Sequence, residues 1–299
     1  MTRITLLDGG MSRELQRCGA VLRQPEWSAL ALIEAPEAVD AAHRAFLEAG
    51  AQVITTNSYA VVPFHLGEAR FAAEGQALAA RAAQLAKAAA ADHPGARVAG
   101  CLPPVCGSYQ PENFSREVAA PILQTLVSSM AADVDLWLGE TLSSLDEART
   151  IAEATAGTGK PLWLSFTLKD GVGAENRAPV LRSGESVEEA AVLARELGVE
   201  GLLFNCSMPE VMEPAILAAR AALGDAPVPI GVYANALVSQ DEDGAANEVL
   251  SKVRDDLTPT GYLDWADRWV AAGASLIGGC CGINSPHIAE LSAHFAPAS

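Results

Sequence analysis

The chain has 299 residues, half of them hydrophobic, which is enough for one large domain or two ordinary ones. It has 20 Lys and Arg residues against 37 Asp and Glu, a formal net charge of −17, and no basic run, so we expect no nucleic-acid partner. No apolar stretch approaches the length of a membrane span and the N-terminus has no signal-peptide anatomy. We therefore expect a cytoplasmic protein without a membrane partner.

Short apolar segments alternate along the chain with alanine-rich amphipathic helices, a pattern typical of a parallel sheet or barrel. Eight strands are predicted, at residues 4–8, 53–56, 96–101, 136–140, 162–166, 201–205, 230–233 and 275–278. Eight helices are predicted to follow them, at residues 37–49, 67–91, 121–132, 144–156, 187–197, 211–223, 261–272 and 286–295. This repeat predicts a (β/α)8 TIM-type barrel. A doubly wound sheet is the alternative, but no Gly-x-Gly-x-x-Gly turn follows the first strand.

Two loops are longer than a barrel requires, at residues 169–183 and 234–259. They follow the fifth and seventh predicted strands, so they would lie on the catalytic face of the barrel. Neither has the composition of a linker, and we predict one barrel domain over residues 1–299. The amphipathic helices are compatible with a homo-oligomer as well as with a monomer.

Three cysteines are predicted to meet at the mouth of this barrel. Cys280 and Cys281 follow the last strand within Gly-Gly-Cys-Cys-Gly, and Cys206 follows the sixth strand. Because strand ends converge on one face, the three thiolates would leave the open fourth position that a catalytic zinc site needs. The alternative is that they are small buried hydrophobic residues. Cys101 and Cys106 follow the third strand and receive no role.

The other strand ends carry two carboxylates and several neutral or aromatic groups, without a histidine or a basic cluster for phosphate. They are Asp8, Gly9, Gly10, Thr56, Asn57, Ser58, Tyr59, Glu140, Thr141, Ser165, Asn205, Tyr233 and Asn235. Zinc held by three thiolates is a weak Lewis acid towards water but suits a fourth, incoming thiol. Coordination would remove the proton of a thiol whose ordinary pKa is about 8.5. The pattern therefore predicts thiol alkylation rather than hydrolysis.

The chain resembles the zinc-dependent homocysteine S-methyltransferases. The resemblance is specific in order and spacing and covers nearly the whole chain. Its segments are Leu7-Asp8-Gly9-Gly10-Met11, Glu14-Leu15, Glu26-Trp27-Ser28, Thr55-Thr56-Asn57-Ser58-Tyr59, Glu140-Thr141, Trp163-Leu164-Ser165-Phe166, Asn205-Cys206, Asn235 and Gly278-Gly279-Cys280-Cys281-Gly282. Members of that family are (β/α)8 barrels, in agreement with the predicted strands.

The resemblance implies that Cys206, Cys280 and Cys281 bind one zinc ion and that the sulfur of homocysteine completes its shell. The carboxylates would bind the ammonium group of homocysteine, and backbone N–H groups near the two glycines would bind its carboxylate. The residues expected around homocysteine are Asp8, Gly9, Gly10, Glu140, Thr141, Asn205 and Asn235. Asp8 and Glu140 are also explained as helix caps, and Asn205 as the end of a strand.

The resemblance also implies a pocket for the methyl donor, with Trp27 and Tyr59 as walls, because aromatic faces stabilise an onium cation. Both residues are equally explained as parts of the core. A small sulfonium donor, S-methylmethionine or S-adenosylmethionine, is favoured over glycine betaine because Thr141 rather than an aromatic residue follows Glu140. Methyl transfer to homocysteine gives methionine. A related thiol or selenol methyltransferase is an alternative, and a non-catalytic zinc or thiol redox sensor is the alternative of another class.

Overall fold

A computed structural model describes residues 3–238 and 253–295. Eight parallel strands form one sheet in the order β1-β8-β7-β6-β5-β4-β3-β2. They are β1 (Thr5–Leu6), β2 (Val53–Thr55), β3 (Arg97–Leu102), β4 (Leu136–Leu142), β5 (Leu162–Phe166), β6 (Gly201–Asn205), β7 (Ile230–Tyr233) and β8 (Leu276–Ile277). A parallel bridge between Leu7 and Val53 joins β1 to β2 and closes the sheet. The predicted (β/α)8 barrel is confirmed, with all eight strands at their predicted places.

Eleven α-helices cover this barrel within the described residues. They are α1 (Met11–Arg17), α2 (Ala29–Glu34), α3 (Pro36–Glu48), α4 (Pro63–Leu66), α5 (Glu68–Ala91), α6 (Arg116–Met130), α7 (Leu145–Thr155), α8 (Val187–Glu196), α9 (Met212–Leu223), α10 (Pro259–Ala272) and α11 (Ser285–Phe295). All eight predicted helices are present. The additional α1, α2 and α4 span about two turns or fewer, too short for a helical repeat to show. None of the described helices has the length and apolar composition to cross a bilayer.

The start of α6 differs from the prediction. The helix predicted at residues 121–132 begins at Arg116 instead and contains Pro121 in its interior. The missing N–H costs one helical hydrogen bond. Burial of Ala119 and Ile122 on the barrel side offsets that cost. The predicted loop 234–259 lies partly outside the described residues, at 239–252.

Side chains of the strands alternate between two hydrophobic cores, because successive residues of a strand point to opposite faces. Outward side chains such as Ile54, Trp137 and Phe204 pack against the helices. The inward set fills the barrel and comprises Leu7, Val53, Ala99, Leu136, Leu138, Trp163, Leu203, Tyr233 and Leu276. The same alternation places polar inward positions, including Glu140 and Asn205, at the carboxyl ends of the strands. The site therefore lies above a hydrophobic floor.

A buried carboxylate, Glu14 on α1, fixes the start of α11. The Ser285 N–H donates to Glu14 Oε2 at 3.0 Å and the Ser285 hydroxyl donates to Glu14 Oε1 at 2.9 Å. Glu14 is only 1% exposed. A negative side chain at a helix N-terminus satisfies free N–H groups and opposes the positive end of the dipole. This contact ties α1 to the segment that follows Cys280 and Cys281.

We expect Glu14→Ala to lower the unfolding free energy by about 2 kcal/mol, because two hydrogen bonds to a buried carboxylate are lost. Differential scanning calorimetry should then show a Tm lower by roughly 4–8 °C. Glu68→Ala is the matched control, since this residue is an exposed acid in the first turn of α5. A Tm unchanged in Glu14→Ala would contradict the assigned role.

Candidate active site

The three predicted cysteines come together at the carboxyl end of the barrel. The Sγ atoms of Cys206, Cys280 and Cys281 all lie within 4.8 Å of one another. The Cys206 and Cys281 sulfurs are 3.6 Å apart. Tetrahedral zinc with Zn–S bonds of 2.3 Å requires sulfurs about 3.8 Å apart, so the cluster fits such an ion. All six cysteines of the chain are free thiols.

Glycines let the backbone around the adjacent cysteines approach the first strand. A Cβ on Gly278 would lie 2.6 Å from the Cβ of Leu7, and one on Gly10 would collide with the carbonyl of Cys280. The Gly10 N–H donates to Ile283 O at 2.7 Å. The loops after β1 and β8 are therefore joined backbone to backbone. This hydrogen bond occupies the Gly10 N–H. The Gly9 N–H is therefore the better candidate to bind a substrate carboxylate.

The three thiols of the cluster differ in the direction of their pKa shifts. Hydrogen bonds from the Cys280 and Cys281 thiols, followed by one from Tyr109, hold the pKa of the Cys206 thiol well below its usual range. The same hydrogen bonds to Cys206 are the largest cause that raises the pKa of both Cys280 and Cys281. A metal that binds all three sulfurs would therefore displace the protons of these two thiols.

Two buried carboxyl groups stand at the same mouth. Asp8 accepts from the Thr55 N–H at 2.6 Å and from the Thr55 hydroxyl at 3.2 Å. Burial is the main cause that raises the pKa of Asp8 from 3.8 to about 8, and the charge of Glu140 adds to it. Burial likewise raises the pKa of Glu140 from 4.5 to about 7. Burial makes it costly to ionise these two carboxyl groups. They are therefore suited to bind a cation, which would compensate their negative charge.

A bulge in β4 follows Glu140, which faces the mouth by strand alternation, and turns the next side chains of the strand. Between Gly139 and Leu142 the strand contains one residue more than its partner β5. The extra residue is Thr141, whose φ of 61° is in the left-handed region. Leu142 consequently points outward into the helix layer while Glu140 faces the mouth. The Cys101 thiol donates to Glu140 Oε2 at 3.1 Å.

Asn205 organises this region through its side-chain amide. Its Oδ1 accepts from the Thr141 N–H at 3.1 Å and from the Ser165 hydroxyl at 2.8 Å. Its Nδ2 donates to the Thr141 hydroxyl at 2.8 Å and lies 4.0 Å from the Cys280 sulfur. Asn235 instead turns back on its own chain, where its Oδ1 accepts from the Leu237 N–H at 3.1 Å. The substrate-binding roles of both asparagines remain predictions.

Aromatic rings line one side of the mouth. Trp27 and Tyr59 meet edge to face with centroids 5.9 Å apart, and the Tyr59 hydroxyl lies 2.6 Å from the Ser108 hydroxyl. Charges on Cys206 and Glu140 contribute to the raised pKa of Tyr59, which places this ring beside the cluster, although burial is the larger cause. The guanidinium of Arg182 lies 4.9 Å from the centroid of Tyr109. The loop 169–183 thus contacts the site through Arg182.

Backbone strain is concentrated here. Within the described residues, the non-glycine residues with positive φ are Trp27 (45°), Tyr109 (63°), Thr141 (61°) and Cys206 (50°). All four lie at or beside the mouth. Such conformations cost on the order of 1–3 kcal/mol each and persist where the surroundings impose them. Sequence reasoning missed Tyr109, because its loop has no periodic pattern that shows where a side chain points.

Fold and site together define a (β/α)8 barrel with three clustered thiols and two buried carboxyl groups at its mouth. A model of the homocysteine S-methyltransferase family matches residues 5–295, and the chain belongs to this family. It is therefore a methyltransferase.

Individual relatives agree with this assignment. The chain is 32% identical to the homocysteine S-methyltransferase of Escherichia coli over 315 residues, covering 97% of this chain and 94% of the relative. It is 27% identical to the selenocysteine methyltransferase of Astragalus bisulcatus, covering 93% and 88% of the two chains. Among solved structures, the metallated form of the homocysteine methyltransferase MmuM from Escherichia coli matches with a TM-score of 0.74 and 29% identity over 97% of this chain and 96% of that one.

Proposed function

We propose that the protein transfers a methyl group from a small sulfonium donor to homocysteine, with one zinc ion held by Cys206, Cys280 and Cys281. The observation that carries the proposal is the mutual approach of these three sulfurs within 4.8 Å, next to two buried carboxyl groups. Family membership and the metallated form of the Escherichia coli relative support it. The single-domain organisation, the cytoplasmic location and any self-association stay predictions from the sequence.

The donor set suits a thiophilic metal. Three thiolates on zinc leave a fourth position and make the ion electron-rich. When bound, zinc would hold the homocysteine sulfur as a thiolate at neutral pH and keep it nucleophilic. Asn205, near the Cys280 sulfur, holds the carboxyl ends of β4 and β5 in place through its hydrogen bonds with Thr141 and Ser165.

The amino-acid end of homocysteine is held by the carboxyl groups of the mouth. Asp8 and Glu140 receive its ammonium group, whose charge lowers the pKa of both carboxyl groups towards ordinary values. The backbone N–H of Gly9 is the proposed partner of its carboxylate. With one end fixed in this way, the sulfur is positioned over the cysteine cluster, and positioning supplies much of the rate of a two-substrate reaction.

The donor occupies the aromatic side of the mouth, where Trp27, Tyr59 and Tyr109 lie. The methyl carbon forms a bond to the homocysteine sulfur as its bond to the donor sulfur breaks, which leaves a neutral thioether and methionine. The positive charge of the donor disappears in this step, so the rings should bind it only moderately in the ground state. Thr141 rather than an aromatic residue follows Glu140, which favours a sulfonium donor over a quaternary ammonium donor.

Methionine formation tests this proposal directly. Reduced, zinc-loaded protein is incubated with L-homocysteine and, separately, with S-methylmethionine, S-adenosylmethionine or glycine betaine. We expect turnover with a sulfonium donor and none with betaine. The same assay with selenocysteine in place of homocysteine distinguishes a selenol methyltransferase.

Turnover with betaine alone would contradict the sulfonium assignment while leaving the methyltransferase class intact. Tight zinc binding without any methylated product would contradict transfer to homocysteine. In that case, reversible oxidation of the cluster without consumption of homocysteine would favour the redox-sensor alternative.

A further inference from the structure

The hydroxyl of Tyr233 is the unexplained polar group of the barrel interior. Tyr233 is the last residue of β7, is 4% exposed and belongs to the inward-facing core. Its Oη is buried and makes no well-formed hydrogen bond to a described residue, although the Glu140 carboxyl group and the Ser165 hydroxyl lie near it. A buried hydroxyl without a partner costs on the order of 1–3 kcal/mol, so such groups are rare in native structures.

The surroundings of this hydroxyl identify it as part of the proposed substrate pocket. Burial raises the pKa of Tyr233 well above 10, and the nearby charge of Glu140 adds to this. The hydroxyl therefore stays protonated and lies among groups of the mouth. The Tyr233 hydroxyl lies next to the carboxyl group of Glu140, which is proposed to bind the ammonium group of homocysteine.

The number of hydrogen-bond acceptors at the proposed ammonium site is the next consideration. A primary ammonium has three N–H donors and needs three acceptors when it is taken out of water. Asp8 and Glu140 are two acceptors, but both oxygens of Asp8 already accept from Thr55, and Glu140 Oε2 accepts from the Cys101 thiol. A hydroxyl accepts one bond and donates another, so it serves both the cation and the adjacent carboxylate. A substrate carboxylate at this place would instead be repelled by Glu140 and Asp8.

We propose that Tyr233 is a specificity-determining residue whose hydroxyl accepts the third hydrogen bond of the ammonium group of the thiol substrate. This inference rests on the proposed function. Three acceptors at the ends of β1, β4 and β7 would then make the protein prefer an amino-acid thiol to a simple thiol. The cost of the unpartnered hydroxyl in the ligand-free protein is recovered when the ammonium binds.

Tyr233→Phe tests the assignment because it removes the hydroxyl and keeps the ring. Calorimetric titration of the metal-loaded protein is carried out with homocysteine, with 3-mercaptopropylamine, which lacks the carboxylate, and with 4-mercaptobutyrate, which lacks the ammonium. We expect Tyr233→Phe to weaken binding of the first two thiols by about 10-fold or more. Binding of 4-mercaptobutyrate and the bound metal should not change.

The stability of the ligand-free variant is the second readout. Loss of an unpartnered buried hydroxyl should leave the Tm unchanged or raise it. Tyr262→Phe is the matched control, because that hydroxyl is also buried but donates to Gly278 O at 2.7 Å. This control should lower the Tm and show no amine-specific loss of affinity.

Three outcomes would overturn the inference: equal weakening for all three thiols, weakening confined to the thiols that keep a carboxylate, or no weakening at all. Wild-type protein that binds none of the thiols would overturn the proposed function itself, and this inference with it. Retained homocysteine binding by the wild type with an unchanged variant would overturn the role of Tyr233 alone.

Discussion

Cys281→Ala should abolish retention of zinc against a chelator and reduce methyl transfer by on the order of 100-fold or more. The reason is geometric, because the substitution leaves two sulfurs where three lie within 4.8 Å of one another. Cys206→Ala should behave alike, since it removes another of the three clustered sulfurs. Metal content measured by elemental analysis, together with methionine formation, checks this prediction.

Two other cysteines of the chain serve as controls. Cys101 lies at the same mouth, but its thiol donates to Glu140 and takes no part in the cluster. Cys101→Ala should therefore keep the metal, whatever its effect on the affinity for homocysteine. Cys106→Ala should keep both metal and activity, because this half-buried thiol donates to the carbonyl of Ser115 at 3.9 Å and is not part of the three-cysteine cluster. Full zinc retention by Cys281→Ala would refute the three-cysteine site.

Asp8→Asn should stabilise the ligand-free protein and weaken homocysteine binding. Asparagine has the shape of aspartate and retains an oxygen that accepts from the Thr55 N–H. It carries no negative charge, so the ammonium of homocysteine loses a charged partner. A hydrogen bond to a charged group contributes about 1.5–3 kcal/mol, which corresponds to a loss of affinity of roughly 10- to 150-fold.

The stability effect has a defined pH dependence. Folding raises the pKa of Asp8 from 3.8 to about 8, mainly through burial. The wild type therefore has this group's full stability contribution below its unfolded pKa and loses it as the pH rises through 8. Asp8→Asn has no such loss, so its Tm should exceed that of the wild type by an increasing amount between pH 5 and pH 8.

Asp135→Asn is the matched control for homocysteine affinity. Asp135 also accepts a backbone N–H of a neighbouring strand, that of Val98 at 2.7 Å, but it lies at the opposite end of the barrel. Its substitution should leave the affinity unchanged. If Asp8→Asn binds homocysteine as tightly as the wild type, the ammonium site lies elsewhere.

Much of the fold was predictable because its repeat is regular. Strands such as Leu162–Phe166 and Gly201–Asn205 are short apolar runs between long amphipathic helices, and their observed bounds equal the predicted ones. The cysteine cluster was predictable for a related reason, since the barrel brings strand ends together wherever the helices lie. The start of α6 was not, because tertiary burial overrode the preference of Pro121 for a first turn.

The rest of the site depends on interactions that no local pattern encodes. The β4 bulge at Thr141 arises from pairing with β5, and Tyr109 reaches the cluster through a loop without periodicity. The Cys101 thiol donates a hydrogen bond to Glu140 because β3 and β4 are neighbours in the sheet. Whether a hydroxyl such as that of Tyr233 finds a partner depends on several strands at once, so its functional meaning appears only in three dimensions.

X-ray absorption at the zinc edge, recorded for the loaded protein without and with L-homocysteine, tests the central claim most directly. We expect three sulfur ligands before addition and four afterwards, because the substrate sulfur takes the position that Cys206, Cys280 and Cys281 leave open. Selenohomocysteine should add a zinc–selenium contact in its place. Homocysteine that binds, as shown by titration, while the count stays at three sulfurs would contradict the account.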